Sequence, residues 1–168
     1  MSQALALAKK SEALARPNPS VGAIVVKNKK KVGEGSHKAA GNDHAEVIAL
    51  KNAGKLSKGA DLYITLEPCN HQGKTPPCTN SIISAGISNV YIAMKDPNPL
   101  VNGLGIEHLK NNGINVFSGI MEEEAKKLNL GFQNRMTKSR PYIRSKIAMS
   151  FDGKTSLFNG QSQWITSE

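Results

Sequence analysis

The chain has 168 residues, 39% of them hydrophobic and 21% charged, a composition that suits one well-cored soluble domain and a little more. It holds no run of about 18 apolar residues that could span a membrane, and its opening, MSQALALAKKSEALARPNP, lacks the apolar stretch and cleavage site of a secretory signal, so a cytoplasmic location is the expectation. The net charge of +9 raises nucleic acid as a partner, but Lys27, Lys29, Lys30 and Lys31 carry much of it as a solvated turn, and aromatics at 5% offer few stacking platforms.

Residues 3–15 have helical spacing, with Ala4, Leu5, Leu7, Ala8 and Leu14 as the apolar face, and the RPNP run with Pro17 and Pro19 stops the helix. The β-branched run Val21–Val26 predicts a buried strand, KNKKK a turn, and KVGEGSH a second strand ending near His37. After the AAGND loop, Asn42 or Asp43 is placed to cap a helix that starts at His44 and stops at Gly54. DLYITL is a third strand, and PPCTNSIISAG a helix opened by proline and closed by Gly86. NVYIAM is a fourth strand, DPNPLVNGLG a loop, GIEHLKNNG a helix in which His108 is structural, INVFSG a fifth strand, and residues 121–137 one charged helix. Helix, hairpin, then alternating helix and strand predict a three-layer α/β/α sandwich on a mixed five-stranded sheet over residues 1–137. Residues 138–168 contain a strand and a turn at Asp152-Gly153. They are too few to bury a core of their own, so they either pack on the first domain or open a second one.

Both cysteines lie in LEPCNHQGKTPPC, residues 66–78. In a reducing compartment two thiols are more often metal ligands, catalytic groups or core residues than a bridge. His44 with Cys69 and Cys78 is a three-ligand set suited to zinc, which leaves the fourth tetrahedral position for water, as in a catalytic site. Glu46, two residues past His44, could reach that water without ligating the metal and carry its proton to a leaving amine. The alternatives are a core histidine with two buried cysteines, and a closed structural zinc site with His71 as fourth ligand.

HAE followed by PC and a later cysteine matches the zinc-deaminase signature, H-x-E with P-C-x-x-C, except that eight residues rather than two separate Cys69 from Cys78. PNPSVGAIVV, EGSHKAAGNDHAEVIAL, YITLEPCNHQGKTPPCTNSIISAGI and DPNPLVNGLG together resemble the deaminase domain of the bifunctional riboflavin-biosynthesis deaminase/reductases, a branch of the cytidine-deaminase-like superfamily. The tail, RPYIRSKIAMSFDGKT…GQSQWITSE, resembles the opening of that family's dihydrofolate-reductase-like domain. The resemblance implies one zinc on His44, Cys69 and Cys78, with Glu46 as proton shuttle. It also implies a diaminopyrimidinone substrate with a phosphorylated ribosylamino chain, which loses a ring amino group as ammonia. Asn18, His37, His71, Lys74, Asp96 and Asn98 fall on positions the family uses to hold base, ribose and phosphate. NADPH is expected only for a reductase domain, which these residues lack. Homo-oligomers are expected of the whole family protein, with the reductase part supplying much of the contact, and a membrane is not. The alternative enzyme, a transfer-RNA adenosine deaminase, draws on the charge of +9, while the long cysteine spacing and Lys74 speak against it.

Overall fold

The structure, a computed structural model, describes residues 1–39, 41–73 and 75–162. Five strands, β1 (Gly22–Lys27), β2 (Lys30–Ser36), β3 (Asp61–Leu66), β4 (Asn89–Met94) and β5 (Asn115–Ser118), pair in the order β2-β1-β3-β4-β5. β1 runs antiparallel to both β2 and β3, while β3, β4 and β5 are parallel, so the sheet is mixed as expected. The β1–β2 hairpin closes on two residues, Asn28 and Lys29, both with positive φ, the turn whose twist matches paired strands. The five-residue turn expected at KNKKK is therefore shorter: Lys27 and Lys30 already belong to strands.

The helices are α1 (Ser2–Ala15), α2 (Ala45–Ala53), α3 (Cys78–Ser84), α4 (Leu104–Asn111), α5 (Glu122–Leu128) and α6 (Leu130–Lys138). α3 and α4 are the crossovers that parallel pairing requires. Two glycine positions show how the layers form. A Cβ on Gly22 would lie 2.1 Å from the Ala4 carbonyl oxygen of α1, and one on Gly35 would lie 2.3 Å from the Ala45 oxygen of α2. Gly35 pairs with Ala23, the next residue after Gly22, and successive residues face opposite sides of a sheet. α1 and α2 therefore cover opposite faces, with α5 against α1, and α3 and α4 on the side of α2. This is the three-layer α/β/α sandwich.

Close approach also corrects the reading of α1. Its buried residues are Ala4, Ala8, Ser11 and Ala15, whereas Leu14 is 62% exposed: only small side chains fit where the helix backbone meets Gly22. The cap expected from Asn42 or Asp43 is absent. His44 itself is the N-cap of α2, and the Asp43 carboxylate pairs with Lys51 at 2.6 Å. α3 begins at Cys78, because Pro77 is extended (φ −55°, ψ 129°). The single helix expected over 121–137 is two, broken at Asn129, whose side chain is used in a tertiary contact described below.

The strand expected in the tail is not formed. Residues 139–162 contain no helix or strand, though the turn at Asp152-Gly153 is present, with the Gly153 N–H donating to the Ser150 oxygen at 2.9 Å. Ile143 and Ile147 are 82% and 66% exposed, so the segment has neither a partner strand nor a surface on which to bury its apolar side chains. Among the described tail residues no helix or strand of a dihydrofolate-reductase-like domain is formed. No described helix is long and apolar enough to cross a membrane.

Candidate metal centre and pocket

The carboxyl ends of β3 and β4 lie side by side, and the loops that leave them carry most of the polar residues singled out above. β3 leads through Glu67 and Pro68 to Cys69; β4 leads to Asp96 and Asn98. α2 and α3 complete the site from one face, since His44 precedes the first turn of α2 and Cys78 opens α3.

His44 Nδ1 lies 3.1 Å from Cys78 Sγ and 3.6 Å from Cys69 Sγ, and the three ligand atoms all fall within 4.8 Å of one another. Ligands on a tetrahedral zinc, at about 2.0 Å for nitrogen and 2.3 Å for sulfur, stand roughly 3.5 Å apart. Both cysteines are free thiols. The donor set and its spacing therefore fit zinc. The two thiols perturb each other: the Cys78 side chain lowers the pKa of Cys69, while the Cys69 side chain, with burial, raises that of Cys78. The His44 pKa is raised, chiefly by its bond to Cys69. Thr75 Oγ1 stands 3.5 Å from the other ring nitrogen of His44.

Glu46 is 3% exposed in the first turn of α2, and burial pushes its carboxyl up to about 7. It lines a cavity of about 290 Å³ together with His44 and Cys69. Of the other residues expected at the site, Asn18, His37, His71, Asp96 and Asn98 line this cavity too, and His71 is exposed at its edge. Lys74 lies outside the described residues.

His37 is held from both sides. Its Nδ1 is 3.3 Å from the Asp43 carbonyl oxygen, and its Nε2 is 3.1 Å from Asn18 Nδ2. A carbonyl only accepts, so Nδ1 carries the proton and Nε2 accepts from the Asn18 amide. Burial pulls the His37 pKa down, which agrees with a neutral ring, and that ring meets His44 edge-on at 5.3 Å between centroids. Asp96 is pushed up to about 6, first by burial, and the nearby Glu67 charge acts in the same direction. Its Oδ1 accepts the Asn98 N–H at 2.8 Å, and Asn98 Oδ1 in turn accepts the Leu100 N–H at 3.1 Å.

The same cavity has walls the sequence reading did not anticipate: Glu67, Val101 and, from α6, Phe132, Arg135 and Met136. The Arg135 guanidinium donates to the Pro17 carbonyl oxygen at 2.7 Å and lies 5.7 Å from the Phe132 ring centroid. Nothing local marks these α6 residues, since their place depends on the break at Asn129. Glu67 did carry a sign: it is a carboxylate in an otherwise apolar strand end, LEPC.

The family model for the cytidine and deoxycytidylate deaminase zinc-binding region matches residues 1–94. The chain is 54% identical to the "Riboflavin biosynthesis protein RibD" of Aquifex aeolicus over its whole length, and spans about half (47%) of that relative. It is 52% identical to a "Diaminohydroxyphosphoribosylamino-pyrimidine deaminase" of Buchnera aphidicola, with 84% of this chain matched to 96% of that one. Among solved structures, the diaminohydroxyphosphoribosylaminopyrimidine deaminase/5-amino-6-(5-phosphoribosylamino)uracil reductase of Thermotoga maritima superposes with a TM-score of 0.94 at 47% identity, over 99% of this chain and 48% of that one.

Proposed function

The chain belongs to the cytidine and deoxycytidylate deaminase family, and from that premise we propose that it hydrolyses the ring amino group of a diaminopyrimidinone bearing a phosphoribosylamino chain. The products are the corresponding uracil and ammonia, as a step in riboflavin biosynthesis. The observation that carries this reading is the convergence of the ligand atoms of His44, Cys69 and Cys78, with a buried carboxylate, Glu46, lining the same cavity as His44 and Cys69.

His44, Cys69 and Cys78 hold zinc, which when bound supplies the Lewis acidity that makes a water nucleophilic at neutral pH. Glu46 is the proton carrier: it takes a proton from the attacking water and delivers it to the departing amino group, so that ammonia leaves as the ring carbon gains its oxygen. A carboxyl held near 7 is suited to do both at physiological pH. Asn18 and His37 form a preset pair for a polar ring edge: because His37 accepts from Asn18 Nδ2, the Asn18 carbonyl is left to accept from substrate. Asp96 and Asn98, on their stiff loop, offer fixed hydrogen-bond partners to a polar ring, His71 is a further substrate contact, and Lys74 offers a charge to the phosphate.

A small-molecule substrate is favoured over transfer RNA, because a relative at 52% identity carries the name of a pyrimidine deaminase. Residues 1–137 are assigned to the deaminase domain and 138–168 to a linker and the opening of a reductase segment, to which any NADPH would belong. A cytoplasmic location belongs to the same reading. Metal analysis with a substrate assay tests the reading. One zinc per chain and ammonia from the phosphoribosylaminopyrimidine are expected; inosine from transfer RNA without small-molecule turnover would overturn it.

A further inference from the structure

Glu67 is 3% exposed, and no ion pair with it occurs among the described residues. Its carboxylate instead receives four backbone N–H groups. Oε2 accepts from Asp96 at 3.2 Å and Gly103 at 2.9 Å; Oε1 accepts from Gly105 at 3.1 Å and Ile106 at 3.2 Å. All four donors belong to the segment from Asp96 to Ile106, which leaves β4 and enters α4. Gly105 and Ile106 are in the first turn of α4, whose N-cap, Gly103, has no side chain to satisfy them. Glu67 thus caps α4 from across the fold, with its negative charge at the positive end of the helix.

The same residue is tied to the metal loop. Its own N–H donates to the Met94 oxygen at 3.0 Å, extending the β3–β4 ladder by one bond, and Cys69 follows two positions later. A Cβ on Gly105 would lie 2.1 Å from the Pro68 oxygen, so the α4 backbone is packed directly on the loop that carries Cys69. Between the clamped ends the segment is locked by its own turns, through Asp96 to Asn98 and Asn98 to Leu100.

We propose that Glu67 is a positioning residue: its carboxylate holds the 96–106 segment in the shape that presents Asp96 and Asn98 to the catalytic cavity. This rests on the reading above of those two residues as substrate contacts. Glu67 does not touch the reacting atoms; it acts through the backbone of residues that touch substrate. A carboxylate is required because all four partners are donors. Glutamine would turn an NH₂ group toward two of them.

The test is Glu67→Gln, alone and combined with Asn98→Ala. Expected for the single variant are wild-type zinc content, lost amide-exchange protection at Asp96, Gly103, Gly105 and Ile106, and a KM raised tenfold or more with kcat within about threefold. In the Asn98→Ala background the same change should raise KM by a clearly smaller factor than in wild type, because one of the two positioned residues is already gone. Fully additive effects on KM, or unchanged protection at those four amides, would overturn the proposal. Should Glu67→Gln not fold, Glu67→Asp, which keeps the charge on a shorter arm, is read by the same criteria. Failure of both to fold overturns the proposal and makes Glu67 a determinant of the core alone. A wild type that releases no ammonia would sink the functional reading instead, while amide exchange still decides the hold of Glu67 on its loop.

Discussion

The Asn129 carboxamide grips the backbone of Ser20 at both ends. Its Oδ1 accepts the Ser20 N–H at 2.8 Å and its Nδ2 donates to the Ser20 carbonyl at 3.1 Å, with Asn129 4% and Ser20 3% exposed. This contact fastens the break between α5 and α6 to the segment just before β1. It therefore sets where α6 lays Phe132, Arg135 and Met136 against the cavity. Asn129→Ala leaves two buried backbone groups without partners, at a cost of about 3 kcal/mol in all. In a domain of this size that lowers Tm on the order of 10 °C. Asn129→Asp keeps the acceptor and loses the donor, so thermal melts should place it between wild type and alanine.

Glu46→Gln preserves the shape of the buried side chain and removes the carboxylate proposed to take up and give back the proton. Turnover of the phosphoribosylaminopyrimidine should fall by about 10²–10⁴-fold, with zinc content unchanged, since Glu46 is not among the converging ligand atoms. Steady-state kinetics beside metal analysis separates the outcomes. Zinc loss would make Glu46 a structural member of the site, and unchanged turnover would point to a non-catalytic zinc module.

How much of this could be read before the structure depends on the range of the interactions. The order of strands and helices, the mixed sheet and the convergence of His44 with Cys69 and Cys78 follow from local periodicity and from motif residues set at strand and helix ends. Of the apolar face read for α1, Ala4 and Ala8 are buried and Leu5 and Leu7 half-buried; Leu14 alone was misplaced, because size as well as hydrophobicity decides what fits against the sheet. The α5–α6 break was missed because Asn129 breaks the helix through a partner 109 positions away. Glu67 escaped for the same reason, as its four donors lie 29 to 39 positions along the chain. In the tail a strand was expected, but a strand also needs a neighbour, and residues 139–162 have none.

Asp96 makes stability depend on pH. Its folded value of about 6 lies above the ordinary 3.8, with burial as the first cause. The folded protein therefore binds this proton more tightly than the unfolded chain. The resulting stabilisation is complete below about pH 4 and lost as the pH rises through about 6. Asp96→Asn removes the titration and keeps an oxygen to accept the Asn98 N–H. Compared at equal zinc loading, the variant should gain on wild type between pH 4.5 and 7.5, by on the order of 2 kcal/mol at the upper end. Urea titrations across that range check this; parallel curves would mean that the carboxyl is hydrated or paired in solution.

Gly35 lies on β2, away from the cavity, yet it decides where α2, the helix that carries Glu46, sits. A Cβ there would come within 2.3 Å of the Ala45 oxygen, 2.7 Å of the Ala49 nitrogen and 2.8 Å of the Ile48 Cβ. Two of those atoms are backbone, so the clash cannot be relieved by a rotamer change; α2 would have to move off the sheet. The first turn of α2 carries Glu46, and His44 precedes it. Gly35→Ala should therefore cost about 3 kcal/mol by overpacking. It should also reduce kcat in the fraction that remains folded, because Glu46 shifts with its helix relative to Cys69 and Cys78, which sit on other elements. Gly41→Ala is the control: at a positive φ of 88° it strains the backbone, but nothing lies within 4 Å of its Cβ, so it should lower stability slightly and leave kcat intact. Kinetics corrected for the folded fraction distinguish the two, and a Gly35→Ala protein with wild-type kcat would show that the helix and its carboxylate do not move together.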